Sequence, residues 1–188
     1  MKKIATCLGF IALLSNSFAY AANSELQEKK AVYQVAKNYG TAIACTTTFE
    51  PDDYTKKIGT TLKDIYTLEF SPNGDTGEYL IFWGGDGGCA GGSGTYLTYL
   101  TEIARYSINR PFTVQKENVF EDIKDINYRF IQSVALTGNK HLVVIGSNYC
   151  DCKEDGGNNF PAYKYRYELA QVEGQWKLVN KKFLGKNS

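Results

Sequence analysis

The spacing of apolar positions changes once along this chain, and that change separates a helical start from a β remainder. From Ser24 onward Leu26, Val32, Val35, Ala36, Tyr39 and Ile43 recur at the interval of one helix face. Ser24 is placed to cap the first turn, where Glu25 and Glu28 suit the positive end of the helix dipole. The spacing predicts a helix over residues 24–44 whose apolar stripe must pack on something. Gly40 either ends that helix or weakens it, and Thr46-Thr47-Thr48-Phe49 reads as a last turn or a short strand. Glu50-Pro51-Asp52-Asp53 is a break in the chain direction.

After Leu62 the period shortens to about two residues, and aromatic and β-branched side chains become frequent, which predicts strands through to the C-terminus. Strands are expected from Ile65 to Phe70, Tyr79 to Trp83, Thr95 to Arg105 and Phe112 to Gln115. Turn residues separate them, notably Ser71-Pro72-Asn73-Gly74-Asp75 and Asn109-Arg110-Pro111. A second series runs from Ile126 to Leu136, His141 to Ile145, Tyr163 to Val172 and Gln175 to Val179, with turns at Gly138-Asn139 and Glu173-Gly174. Tyr99, Glu102, Ile103, Ala104 and Arg105 align with Tyr165, Glu168, Leu169, Ala170 and Gln171 at one constant offset, which reads as a pseudo-repeat of units 62–116 and 126–183. Neither four-stranded meander can bury a face alone. The expected fold is therefore mainly β (α+β): the N-terminal helix and two four-stranded antiparallel units, stacked as a sandwich or set side by side like blades of an incomplete propeller.

Composition places this domain in a compartment. Residues 1–22 read as a secretory signal, with Lys2 and Lys3, the apolar run Ile4 to Leu14 and the small-residue site Ala19-Tyr20-Ala21. No apolar run approaches the ~20 residues that span a bilayer as a helix, so no transmembrane segment is expected. The remaining residues, 23–188, are about 166 in number, the size of a single domain. Losing Lys2 and Lys3 turns the formal charge of +1 into −1. Interspersed signs and no overall basic balance exclude nucleic acid as an expected partner. The product is expected in the periplasm or outside the cell.

An even set of cysteines, Cys45, Cys89, Cys150 and Cys152, outlives that processing and is expected to form disulfides. Matching loops in the two units suggest Cys89 bridged to Cys150 or Cys152, and Cys45 to the other. His141 is the one histidine, so a zinc site is not expected at Cys150-Asp151-Cys152.

Candidate chemistry concentrates at Gly84 to Gly94, where seven of eleven residues are glycine. Glycine is expected where backbone needs positive φ or close approach. The segment has no Lys or Arg and precedes a strand, so it is not a nucleotide loop. Gly91-Gly92-Ser93-Gly94-Thr95 lacks the last glycine of a nucleophile elbow, and a triad of Ser93, His141 and an aspartate is not expected. Asp86, Asp151, Glu154 and Asp155 are candidates for acid–base work at one end of the fold, although surface loops commonly carry such residues. The cluster Asp151, Glu154, Asp155, Asn158 and Asn159 misses the ligand spacing of an EF-hand. No metal or cofactor is expected.

The resulting expectation is a non-enzymatic exported binding protein, an inhibitor or immunity protein blocking a secreted effector or cell-wall hydrolase. Its partner-binding residues are Asp86, Gly87, Gly88, Gly91, Gly92, Ser93 and Tyr96, and its partner is another periplasmic or secreted protein. The alternative is a hydrolytic or small-ligand-binding protein that uses the acidic loop cluster.

Overall fold

A computed structural model describes residues 25–50, 59–89, 95–138, 140–149 and 161–187. Helix α1 spans residues 25–43. It runs through Gly40, whose bare backbone lets the Phe49 and Trp83 rings approach: a Cβ there would lie 3.2 Å from each. The glycine thus serves close packing and does not stop the helix. Thr46–Thr47 forms the short strand β1, which settles the choice left open at that segment.

The remaining strands are β2 (Ile65–Phe70), β3 (Gly77–Asp86), β4 (Tyr96–Arg105), β5 (Thr113–Lys116), β6 (Ile131–Gly138), β7 (His141–Asn148), β8 (Tyr163–Val172) and β9 (Gln175–Lys186). All pairings are antiparallel. Sheet A has the order β1-β3-β4-β5, with β2 also on β3; β1 and β2 pair with opposite ends of β3 and fill one strand position between them. Sheet B is the meander β6-β7-β8-β9.

Several strand boundaries depart from the sequence reading, among them that of β7, which continues past Ile145 to Asn148. β3 continues past Trp83 through Gly84 and Gly85, so the first glycines of the rich segment lie in a strand. β6 begins at Ile131, not Ile126, because residues 126–130 turn to cover the core. β9 continues beyond Val179 to Lys186.

The layers are α1, sheet A and sheet B, in that order. One face of sheet A (Ile65, Tyr79, Ile81, Trp83, Tyr99, Ile103) packs with Val32 and Ala36 of α1. The other (Leu68, Leu80, Leu100) packs with Val134, Leu142, Val144, Tyr167, Leu169 and Trp176 of sheet B. The units therefore stack as a sandwich and do not sit side by side. Positions aligned by the constant offset point the same way: Tyr99 and Ile103 face α1, and Tyr165 and Leu169 face sheet A. Burial on both faces explains the almost unbroken apolar run of β3.

Polar contacts fix the stack at both ends. At the start of β3, Lys140 of the β6–β7 turn meets Glu78 at 3.1 Å. Near its other end, Thr98 N donates to the Tyr128 carbonyl at 3.0 Å. The β3–β4 and β7–β8 connections consequently leave the sandwich at one end. Tyr66 Oη donates to the Val134 carbonyl at 2.7 Å, and burial pushes that phenol up to about 12, so it remains a donor. Helix α1 is held through Glu28, which receives the Tyr79 hydroxyl at 2.6 Å and pairs with Arg105.

Candidate functional site

At the loop end of the sandwich, the short ladder Thr46↔Asp86 and Thr47↔Gly85 brings the chain after α1 against the end of β3. Cys45 and Cys89 then lie 5.3 Å apart at Cα and are disulfide-bonded. The bond joins the helix exit to the β3–β4 connection. It corrects the expected bridge from Cys89 to Cys150 or Cys152, two residues that lie outside the described ones. The expectation failed because a two-residue strand carries no periodicity by which its pairing could be foreseen.

Asp86 closes the ladder. Its Oδ1 receives Gly88 N at 2.9 Å, and hydrogen bonds from the Thr95 side chain and from backbone of the turn, Gly88 foremost, hold its carboxyl below the ordinary range. The carboxylate thus organises its own turn. Gly88 sits against Thr95, whose Cγ2 would be 2.2 Å from any Cβ. Cys89 adopts φ 54, a left-handed conformation that the bonded turn imposes on a residue with a side chain.

The strand glycines have packing roles too. A Cβ at Gly84 would fall 2.0 Å from the Tyr96 hydroxyl, so the ring lies across bare backbone. Gly85 is crowded by Trp83, Ala44 and the Thr46 carbonyl. Gly87 differs: it is exposed, its φ is not left-handed, and a Cβ would meet only ordinary contacts at 3.8 Å. Of the expected partner-binding residues, Asp86, Gly87, Gly88 and Tyr96 gather at this end, and Gly91, Gly92 and Ser93 lie outside the described residues.

Beside the turn is a hollow of about 700 Å³ between the two sheets, with Thr60, Phe82, Tyr96, Arg129, Phe130 and Gln132 in its wall. Burial raises the Tyr96 phenol above its ordinary range. The wall thus offers aromatic surface, a guanidinium and amide groups, a set suited to holding a protein side chain or small ligand. Sequence reading found Tyr96 but not Phe82, Arg129 or Phe130, which come from different elements. A second hollow, about 750 Å³, lies at the opposite end beside Pro72, Ile108, Pro111 and Phe112. The charged Glu28 and Arg105 at its wall are engaged in fastening α1.

The other candidate chemistries fare less well. His141 is exposed at the start of β7, next to the Lys140–Glu78 contact, while Asp86 ends β3. Glu78 and Asp86 lie eight residue steps apart along β3, roughly 25 Å, so His141 and Asp86 do not form one site. Asp151, Glu154, Asp155, Asn158 and Asn159 lie outside the described residues. Among the described residues no group of three His, Cys, Asp or Glu side chains could hold a metal ion, and no helix is long and apolar enough to cross a membrane.

One acidic pair escaped the sequence reading. Glu102 shares the sheet B face of β4 with Leu100, and burial followed by the nearby Glu78 charge raises its carboxyl above the ordinary range. A glutamate in phase with the buried Leu100 is the signal that marks it. Compared with protein-family models, with curated proteins and with solved structures, the chain matches none.

Proposed function

We propose that this chain is an exported, disulfide-stapled binding protein of the inhibitor or immunity type, which engages a secreted effector or cell-wall hydrolase with the β3–β4 end of its sandwich. The observation that carries the reading is the covalently fixed turn beside the inter-sheet hollow: Cys45–Cys89 and the Asp86 bonds hold the turn's base at the rim. A turn ordered before contact loses less conformational freedom on binding than a free loop would. Export rests on the signal-like residues 1–22 and accords with the disulfide. The alternative hydrolytic reading draws on the acidic cluster Asp86, Asp151, Glu154 and Asp155, of which Asp86 is engaged by its own turn and the others lie outside the described residues.

Gly87 supplies a clean test, because it is exposed and a Cβ there would meet only ordinary contacts at 3.8 Å without straining the backbone. A photo-crosslinking residue introduced at Gly87, with one at His141 as the control for the far end, is used to capture a partner from periplasmic extract, which is then purified. Gly87→Trp is expected to weaken binding to that partner at least about tenfold with an unchanged melting temperature. Equal binding by Gly87→Trp, or equal crosslinking from His141, overturns the placement. A hydrolytic activity lost in Asp86→Asn with the fold intact would replace the reading by the alternative.

A further inference from the structure

Charge is segregated within this nearly neutral chain. Residues 59–89 carry five acids against the single Lys63, and residues 161–187 carry six Lys or Arg against Glu168 and Glu173. The second stretch forms the β8–β9 hairpin, at whose margin β9 pairs with β8 only. Among the described residues the other edge of β9 is unpaired from Gln175 to Lys186. Among the described residues that edge presents a row of backbone donors and acceptors to no further strand.

Its side chains are of two kinds. Val179, Phe183 and Leu184 are 54%, 50% and 45% exposed. Val179 and Leu184 are the residues skipped by the two register shifts, so the bulges turn apolar groups outward. Lys177, Lys181, Lys182 and Lys186 alternate with them. Lys181 is steadied over the Tyr165 ring and 3.5 Å from Asp125, and Lys186 lies over Tyr163. Lys182 stands directly opposite Arg166, with Lys164 two residues along β8. Facing like charges are unfavourable within a sheet, and Glu168 reaches only the Arg166 side of that pair, at 3.1 Å.

We propose that β9 accepts an acidic, extended segment of a partner protein as an added strand, its carboxylates meeting Lys177 and Lys182 and its apolar side chains meeting Val179, Phe183 and Leu184. Charge complementarity selects this occupant. A second copy of β9 would set lysines against lysines, and an anionic glycan or lipid surface would use the charges but leave the backbone edge unpaired. The β9 edge is a different surface from the β3–β4 turn, and strand addition there does not depend on what that turn binds.

The test uses the mature chain and a fluorescein-labelled ten-residue peptide alternating glutamate with valine, at about 0.15 M salt, where long-range attraction between exposed charges is screened. Binding is followed by anisotropy, and amide hydrogen exchange is followed across β9. The peptide is expected to slow exchange along β9. Lys177→Glu with Lys182→Glu is expected to weaken binding at least about tenfold, as is N-methylation of alternate peptide amides. Reversal at Lys182 places a glutamate opposite Arg166, so the variant's fold is favoured and lost binding does not report unfolding. Equal binding of the N-methylated peptide would mean charge attraction without strand addition and overturns the proposal. So does indifference to the charge reversal, or β9 protection that arises from self-association without peptide.

Discussion

Sheets A and B are both antiparallel meanders in their consecutive strands, yet they occupy opposite situations. In sheet A, Tyr79, Leu80 and Ile81 are consecutive and wholly buried, because α1 covers one face and sheet B the other. In sheet B, β9 buries Trp176 and exposes most of its other residues. The difference comes from place in the stack. Even the two tryptophans reflect it: Trp83 stacks on Tyr99 at 4.2 Å and donates from Nε1 to Thr101 Oγ1 at 2.8 Å inside the middle layer, while Trp176 is the one buried residue of β9. The middle layer holds the fold, and the outer layer is left to change its surface.

The contrast is broken most directly at Trp83. Trp83→Ala is expected to cost about 3–5 kcal/mol through the void left among Phe49, Tyr99 and Gly40, read as the loss in denaturant midpoint. Trp83→Phe should cost more than Trp176→Phe, because the first lies in the sheet that is covered on both faces; equal losses would deny the middle layer its special standing. Cys45→Ser with Cys89→Ser is next. Opening a cross-link of sequence separation 44 should cost up to about 4 kcal/mol on the chain-entropy account, with exchange rising first at β1 and the end of β3. Gly40→Ala pits helix propensity, which favours alanine by about 1 kcal/mol, against overpacking on two rings at 3.2 Å. Overpacking should win, with a net loss of about 1 kcal/mol.

Glu102 gives a smaller effect of opposite sign. Its folded-state carboxyl titrates above the ordinary range, so the cost of ionising it between the sheets is present above that raised value and absent below the unfolded-state value. Glu102→Gln should therefore raise the melting temperature near pH ~7, with the advantage vanishing by about pH 4. An advantage that grew in acid would contradict the assignment. Smallest of all, Lys182→Glu on sheet B should leave stability within about 0.5 kcal/mol, shifted if anything upward by its new neighbour Arg166.

How far the sequence led depended on whether a signal was local. The ends of β2 and β8 were legible because alternation and turn residues bound them on both sides. At Gly84 and Gly85 the same glycines that spelled a loop proved to lie in β3, where Tyr96 and β1 press on the backbone. Glycine marks close approach and turning alike, and one sequence does not say which. The candidate site was legible at Asp86 and Tyr96. Its opposite wall, Arg129 and Phe130, belongs to a turn before β6 that reads as strand in the sequence.

Periodicity by itself determined a helix followed by meandering antiparallel strands, since which faces are apolar is written residue by residue. Only the tertiary structure decided that sheet A lies in the middle, that Cys45 meets Cys89, and that a hollow opens between Tyr96 and Phe130. Each of these depends on contacts between segments far apart in the chain, and such contacts are set by the packing of whole faces.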